Sequence, residues 1–131
     1  MDEKVNLSTA CLAYMGDAVF ELHVRKMLLA KGNRPIDAIN RMARKYVSAK
    51  AQSGMYHALE HHLSEAEQNV MKRGRNLHSN SKAKNAGTIE YRHATGLETL
   101  FGYLFVNQRH ERIDEIFKIC IEIGENCEKQ K

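Results

Sequence analysis

Apolar residues recur at spacings of three and four along most of the chain, and stretches that alternate apolar with polar are scarce, so the pattern predicts helices throughout. Ser8 caps the first, whose core-facing stripe runs through Leu12, Met15, Val19, Leu22 and on to Leu29 before Gly32 ends it. Asn33-Arg34-Pro35 is a turn whose proline takes the first position of a short second helix carrying Ile36, Ile39, Ala43 and Tyr46 on one face. From Ala49 to about His62, after a capping Ser48, the residues Ala51, Met55, Ala58 and Leu59 keep the helical period; the pattern leaves open whether this is a separate helix. Ser64-Glu65-Ala66-Glu67 has the form of a capping box, and the helix it starts runs to about Arg73. A long polar loop, about 74–88, follows. Helix resumes near Glu90 with Leu97, Leu100, Phe101 and Leu104 as its core face, and a last helix carries Ile113, Ile116, Phe117, Cys120 and Ile121. The first six residues and the tail from Gly124 read as loose, polar ends.

Composition supports an all-α fold: there is one proline, and helix formers outnumber β-branched runs. At 131 residues the expectation is a single domain over 1–131. Cys11, Cys120 and Cys127 are odd in number and form no CxxC, which suits free thiols in a reducing compartment. No signal peptide is evident and no apolar run approaches the ~18 residues of a membrane helix, so a soluble cytoplasmic protein is expected.

Charge changes the picture. The formal net charge is +4, yet residues 72–92 hold six basic side chains (Lys72, Arg73, Arg75, Lys82, Lys84, Arg92) against Glu90 alone. This excess falls largely on the long loop, and loops beyond about 12 residues in compact domains are usually functional or disordered. Together they predict a flexible, basic polyanion-binding segment that grips a phosphate backbone.

Two stretches place an acid beside a helix-interior glycine. In the first, Gly16 precedes Asp17; in the second, Glu98 lies four residues before Gly102. A glycine there costs roughly 1 kcal/mol against alanine, which close approach of another helix would offset. If the two helices cross at these glycines, Asp17 and Glu98 converge, and carboxylates at short range either share a proton or bind a hard cation such as magnesium. Spacing alone favours the ordinary alternative, two solvated or ion-paired acids. Glu21 either assists Asp17, at i+4, or pairs with Arg25. His57 and His61 have metal-ligand spacing but no third ligand, and read as an exposed helical face. No Walker loop, nucleophile elbow or Cys/His pair is present.

Tyr14-Met15-Gly16-Asp17-Ala18-Val19 resembles the catalytic signature of ribonuclease III domains, and Leu97-Glu98-Thr99-Leu100-Phe101-Gly102-Tyr103-Leu104 resembles their second acidic helix. Val47-Ser48-Ala49-Lys50-Ala51-Gln52 and Lys72-Arg73-Gly74-Arg75-Asn76 extend the likeness to the small Mini-III branch, which lacks a double-stranded-RNA-binding domain. The resemblance implies an all-α homodimer, magnesium as cofactor, Asp17 and Glu98 as metal-binding catalytic carboxylates, and double-stranded RNA, specifically precursor large-subunit ribosomal RNA, as substrate. Ribonuclease III proper has acids where this chain has Ala13 and Thr95, a departure shared with Mini-III.

The reading that follows is a magnesium-dependent endoribonuclease. Asp17 and Glu98 hold the metal, Arg73, Arg75, Lys82, Lys84, Lys72 and Arg92 bind phosphates, and Lys50 and Gln52 are weaker RNA-binding candidates. Two rivals stand beside it: a non-catalytic RNA-binding factor in ribosome assembly, and a structural helical dimer whose loop binds another protein.

Overall fold

The computed structural model describes residues 6–77 and 88–129, with side chains to 125 in the last helix. It contains six α-helices, α1 (Thr9–Ala30), α2 (Ile36–Val47), α3 (Ala49–Leu59), α4 (Glu65–Arg75), α5 (Ile89–Val106) and α6 (His110–Lys129), with a short 3-10 turn at Glu60–His62 and no strand among the described residues.

Helix boundaries follow local hydrogen-bond chemistry. Ser8 Oγ accepts from the Cys11 amide at 3.1 Å, as the pattern predicts. Pro35 stands one position earlier than predicted: it is the N-cap of α2, and its carbonyl accepts from Ala38 and Ile39. Ser48 settles the ambiguity after α2. Its backbone is extended (φ −66°, ψ 152°) and its hydroxyl accepts from the Ala51 amide at 3.2 Å, so α2 stops there and α3 starts as a separate helix. The capping box is formed in full, Ser64 Oγ accepting from Glu67 N at 3.2 Å and Glu67 Oε1 from Ser64 N at 2.9 Å.

Three further expectations need correction. The core face of α1 is Leu12, Gly16, Val19, Phe20, Val24 and Leu28, whereas Leu22 and Leu29 are each 60% exposed. That face follows the i, i+4 track set by Gly16, through which α5 approaches. Gly74 and Arg75 belong to α4 and not to a loop: Gly74 is buried because a Cβ there would overlap the side chain of Thr99 on α5. The tail from Gly124 continues as helix to Lys129. Residues 78–87, and with them Lys82 and Lys84, lie outside the described residues.

α5 is the central helix, packed chiefly on α1, α4 and α3. Its Leu97, Leu100, Phe101 and Leu104 are wholly buried with Met55, Leu59, Ile113 and Ile116. Phe20 and Phe101 meet edge to face at 5.2 Å, and Phe117 closes the same cluster.

Candidate active site

Gly16 and Gly102 build the site. A Cβ on Gly16 would overlap the carbonyl oxygen of Glu98 and come within 2.8 Å of Gly102 N, and one on Gly102 would overlap the carbonyl oxygen of Leu12. α1 and α5 therefore cross with their backbones touching, a separation that only paired glycines permit. Asp17 directly follows the first glycine and Glu98 lies one turn before the second, so the crossing brings the two carboxyl groups into hydrogen-bonding reach.

The environment acts strongly on Glu98. Burial, then the charge of Asp17 and the hydrogen bond to it, then the charge of Glu21, push its carboxyl from 4.5 up to about 8. A carboxyl raised this far keeps its proton at neutral pH. A buried carboxyl crowded against a second acid marks a place where a divalent cation can take over, and two carboxylates suit a magnesium ion that keeps several waters. Among the described residues no cluster of three acidic, His or Cys ligands forms, so water and substrate oxygens would complete such a shell. Glu21 is ion-paired with Arg25 at 3.0 Å and reaches Glu98 only through its field. The Thr95 hydroxyl, one turn before Glu98, donates to Tyr91 O in its own helix at 3.1 Å.

The basic residues divide. Lys72 and Arg73 are exposed at the C-terminal end of α4, and Arg92 is exposed near the start of α5. Arg75 is half-buried, with its Nε donating to Asn76 Oδ1 at 3.2 Å and its guanidinium hydrogen-bonded to Tyr56. Lys50 is exposed in the first turn of α3, but Gln52 is only 4% exposed and its side chain turns into the fold.

Sequence reasoning missed a polar cluster between α3 and α5. Ser53 Oγ lies 3.0 Å from Nδ1 of buried His93, and the His93 ring packs on both Tyr56 and His57, at 4.6 and 4.3 Å between centroids. Burial foremost, then the charges of His57 and Arg75, hold the His93 pKa below its ordinary value. His57 and His61 are both exposed, as their pattern predicts, and His57 Nδ1 lies 3.3 Å from a Glu60 carboxylate oxygen; the across-helix partner His93 carried no sequence signal. A second concentration of charge was legible and overlooked: residues 31–50 hold six basic side chains against Asp37 alone.

The Ribonuclease III domain family matches residues 10–109, the span from α1 through α5 that contains both carboxylates. The chain is 42% identical to the Mini-ribonuclease 3 of Enterococcus faecalis, over 98% of this chain and 100% of that protein, and 47% identical to that of Brevibacillus brevis, over 87% and 85%. A crystal structure of a Fusobacterium nucleatum protein superposes with a TM-score of 0.77 at 30% identity, covering 93% of this chain and 98% of that one. With near full-length relatives and a family domain that closes on the Asp17 and Glu98 crossing, this chain belongs to the Mini-ribonuclease 3 family of endoribonucleases.

Proposed function

We propose that this endoribonuclease cuts double-stranded RNA with magnesium held by Asp17 and Glu98, and that maturation of large-subunit ribosomal RNA is its role. The observation that carries the reading is the convergence of the two carboxyls at the Gly16 and Gly102 crossing, with Glu98 half-buried beside Asp17. When bound, magnesium would activate a water and steady the departing 3′ oxygen of the phosphodiester.

The chain's own residues do the rest. Asp17 and Glu98 would hold the ion as carboxylates, and the buried Leu97, Leu100 and Phe101 beside Glu98 keep its backbone fixed on α5. Lys72, Arg73, Arg75 and Arg92 lie on the ends of α4 and α5 and bind phosphates; Lys82 and Lys84 extend the same basic segment in sequence. Tyr56 holds Arg75 in place by its hydrogen bond, so that the guanidinium meets the backbone already ordered. Side chains of this type read the shape of A-form RNA more than its bases.

Dimerisation belongs to the same reading. Tyr14 (84% exposed), Leu22 and Leu29 share one side of α1 and lie outside the core, an apolar row suited to the same row of a second copy. No described helix is long and apolar enough to cross a membrane. We place the protein in the cytoplasm, where free thiols such as Cys11 and Cys120 stay reduced.

Cleavage of a labelled RNA duplex by wild type and Asp17→Asn, with magnesium or with chelator, tests the proposal. Cutting only by wild type in magnesium, with the variant folded and still binding, supports it. Binding without cutting by both proteins would favour the assembly-factor reading, in which Ala13 and Thr95 mark lost acids.

A further inference from the structure

We infer that the outer face of α2 is a second binding surface for the sugar–phosphate backbone of the duplex, away from the carboxylates; this rests on the nuclease reading above. α2 is divided lengthwise. Ile39, Met42, Ala43, Tyr46 and Val47 pack on the core, while Arg41, Arg44 and Lys45 face solvent. The face is dense in charge for its size: the helix spans about 18 Å at 1.5 Å per residue, and Asp37 is its only acid.

Two observations separate this face from an ordinary solvated one. Arg41 and Arg44 meet no carboxylate among the described residues, although Asp37 stands at the i, i+4 spacing from Arg41 that would allow a pair. Arg25 and Arg112 are taken up in ion pairs, whereas Arg73 and Arg92 of the proposed RNA surface, like Arg41 and Arg44, meet no carboxylate among the described residues. Two guanidiniums without carboxylate partners on adjoining turns form a ready site for an anion that spans more than one charge, as a phosphate backbone does.

The face is also continuous with the proposed RNA surface. Its C-terminal end leads through Ser48 into α3, where Lys50 is exposed one turn before Ser53. Ser53 bonds His93 of α5, next to Arg92, and Tyr56 bonds Arg75 of α4. The basic residues of α4, α5 and α3 thus surround one packed junction, and α2 adjoins it through its packing on α3. An acidic protein would need carboxylates set along the same curve, whereas a duplex presents phosphates at regular intervals wherever it lies. The structure therefore favours one long duplex lying along both regions, the α4 and α5 ends beside the cut and α2 holding the distal part.

The test compares wild type with the double variant Arg41→Ala/Arg44→Ala on a long and a short RNA duplex, in calcium to prevent cutting, with cleavage measured separately in magnesium. Both changed side chains are exposed, and an unchanged melting temperature verifies the fold. For the long duplex the variant should bind about ten-fold more weakly, with a salt slope lower by about two, one for each phosphate that its arginines no longer neutralise. KM rises while kcat is retained, and the short duplex is bound as by wild type. Equal affinity and slope on the long duplex would overturn the inference while leaving the nuclease reading intact. So would a variant that binds RNA normally but shifts in sedimentation, which would give α2 to a second copy. A wild type that binds neither duplex would overturn both.

Discussion

The Glu98 carboxyl lies within hydrogen-bonding reach of Asp17 across the α1 and α5 crossing, and burial foremost, then the Asp17 charge, pushes its pKa up to about 8. Between pH 4.5 and 8 the folded protein keeps a proton that the unfolded chain releases, so the metal-free protein should lose stability as pH rises through this range. Melting temperature against pH in chelator measures the fall. Glu98→Gln should flatten it, and magnesium, by replacing the proton, should flatten it in the wild type and release about one proton per site near pH 7.

Gly16→Ala forces a methyl group into the Glu98 carbonyl, and Gly102→Ala does the same to Leu12. Backbone cannot yield as a flexible side chain does, so each should cost about 3 kcal/mol or more. Urea unfolding measures the loss. In whatever fraction stays folded, the carboxyls are pushed apart and cleavage should fall more steeply than RNA binding; a variant of native stability and full activity would show that the two backbones do not touch.

Charge reversal at Arg73 and Arg75 should weaken duplex binding for all sequences alike and lower the salt slope by about one for each phosphate released. Tyr56→Phe, which removes only the hydroxyl bonded to Arg75, should act in the same direction with a smaller effect. Filter binding over a range of salt separates these from a general loss of fold.

Arg112 ties the start of α6 to the start of α4. Its Nε and Nη2 donate to the buried Glu67 carboxylate at 2.9 and 2.8 Å, and Nη2 also donates to His62 O at 2.7 Å. Arg112→Ala leaves Glu67 buried without its cation and should cost about 3 kcal/mol. The Arg112 hydrogen bond holds the Glu67 carboxyl below its ordinary 4.5, so this support is present above that pH and is lost as pH falls through the lowered value. Acid unfolding should accordingly be less steep in the variant, while activity at low temperature persists because the network is remote from the carboxylates.

Much of the architecture is local and was therefore readable from residues alone. Ser8, Ser48 and the Ser64 and Glu67 pair each act through a hydrogen bond to a group about one turn away, and spacing in the chain is enough to specify them. The same holds for the apolar faces of α5 and α6, and for the two acid-and-glycine stretches that mark the site. What spacing cannot express is which side of a long helix meets its neighbour. Leu22 and Leu29 fit the helical period as well as Phe20 and Leu28 do, and only the approach of α5 through Gly16 turns the latter pair inward. Gly74 reads as a loop residue until Thr99 is seen to occupy the space of its missing side chain, and the bonds from Ser53 to His93 and from Tyr56 to Arg75 join residues far apart in the chain. The sequence by itself determined the helices, the acids and the family; the tertiary structure decided that Asp17 and Glu98 meet, because their meeting depends on two backbones touching at glycines 86 residues apart, a long-range approach that no local periodicity encodes.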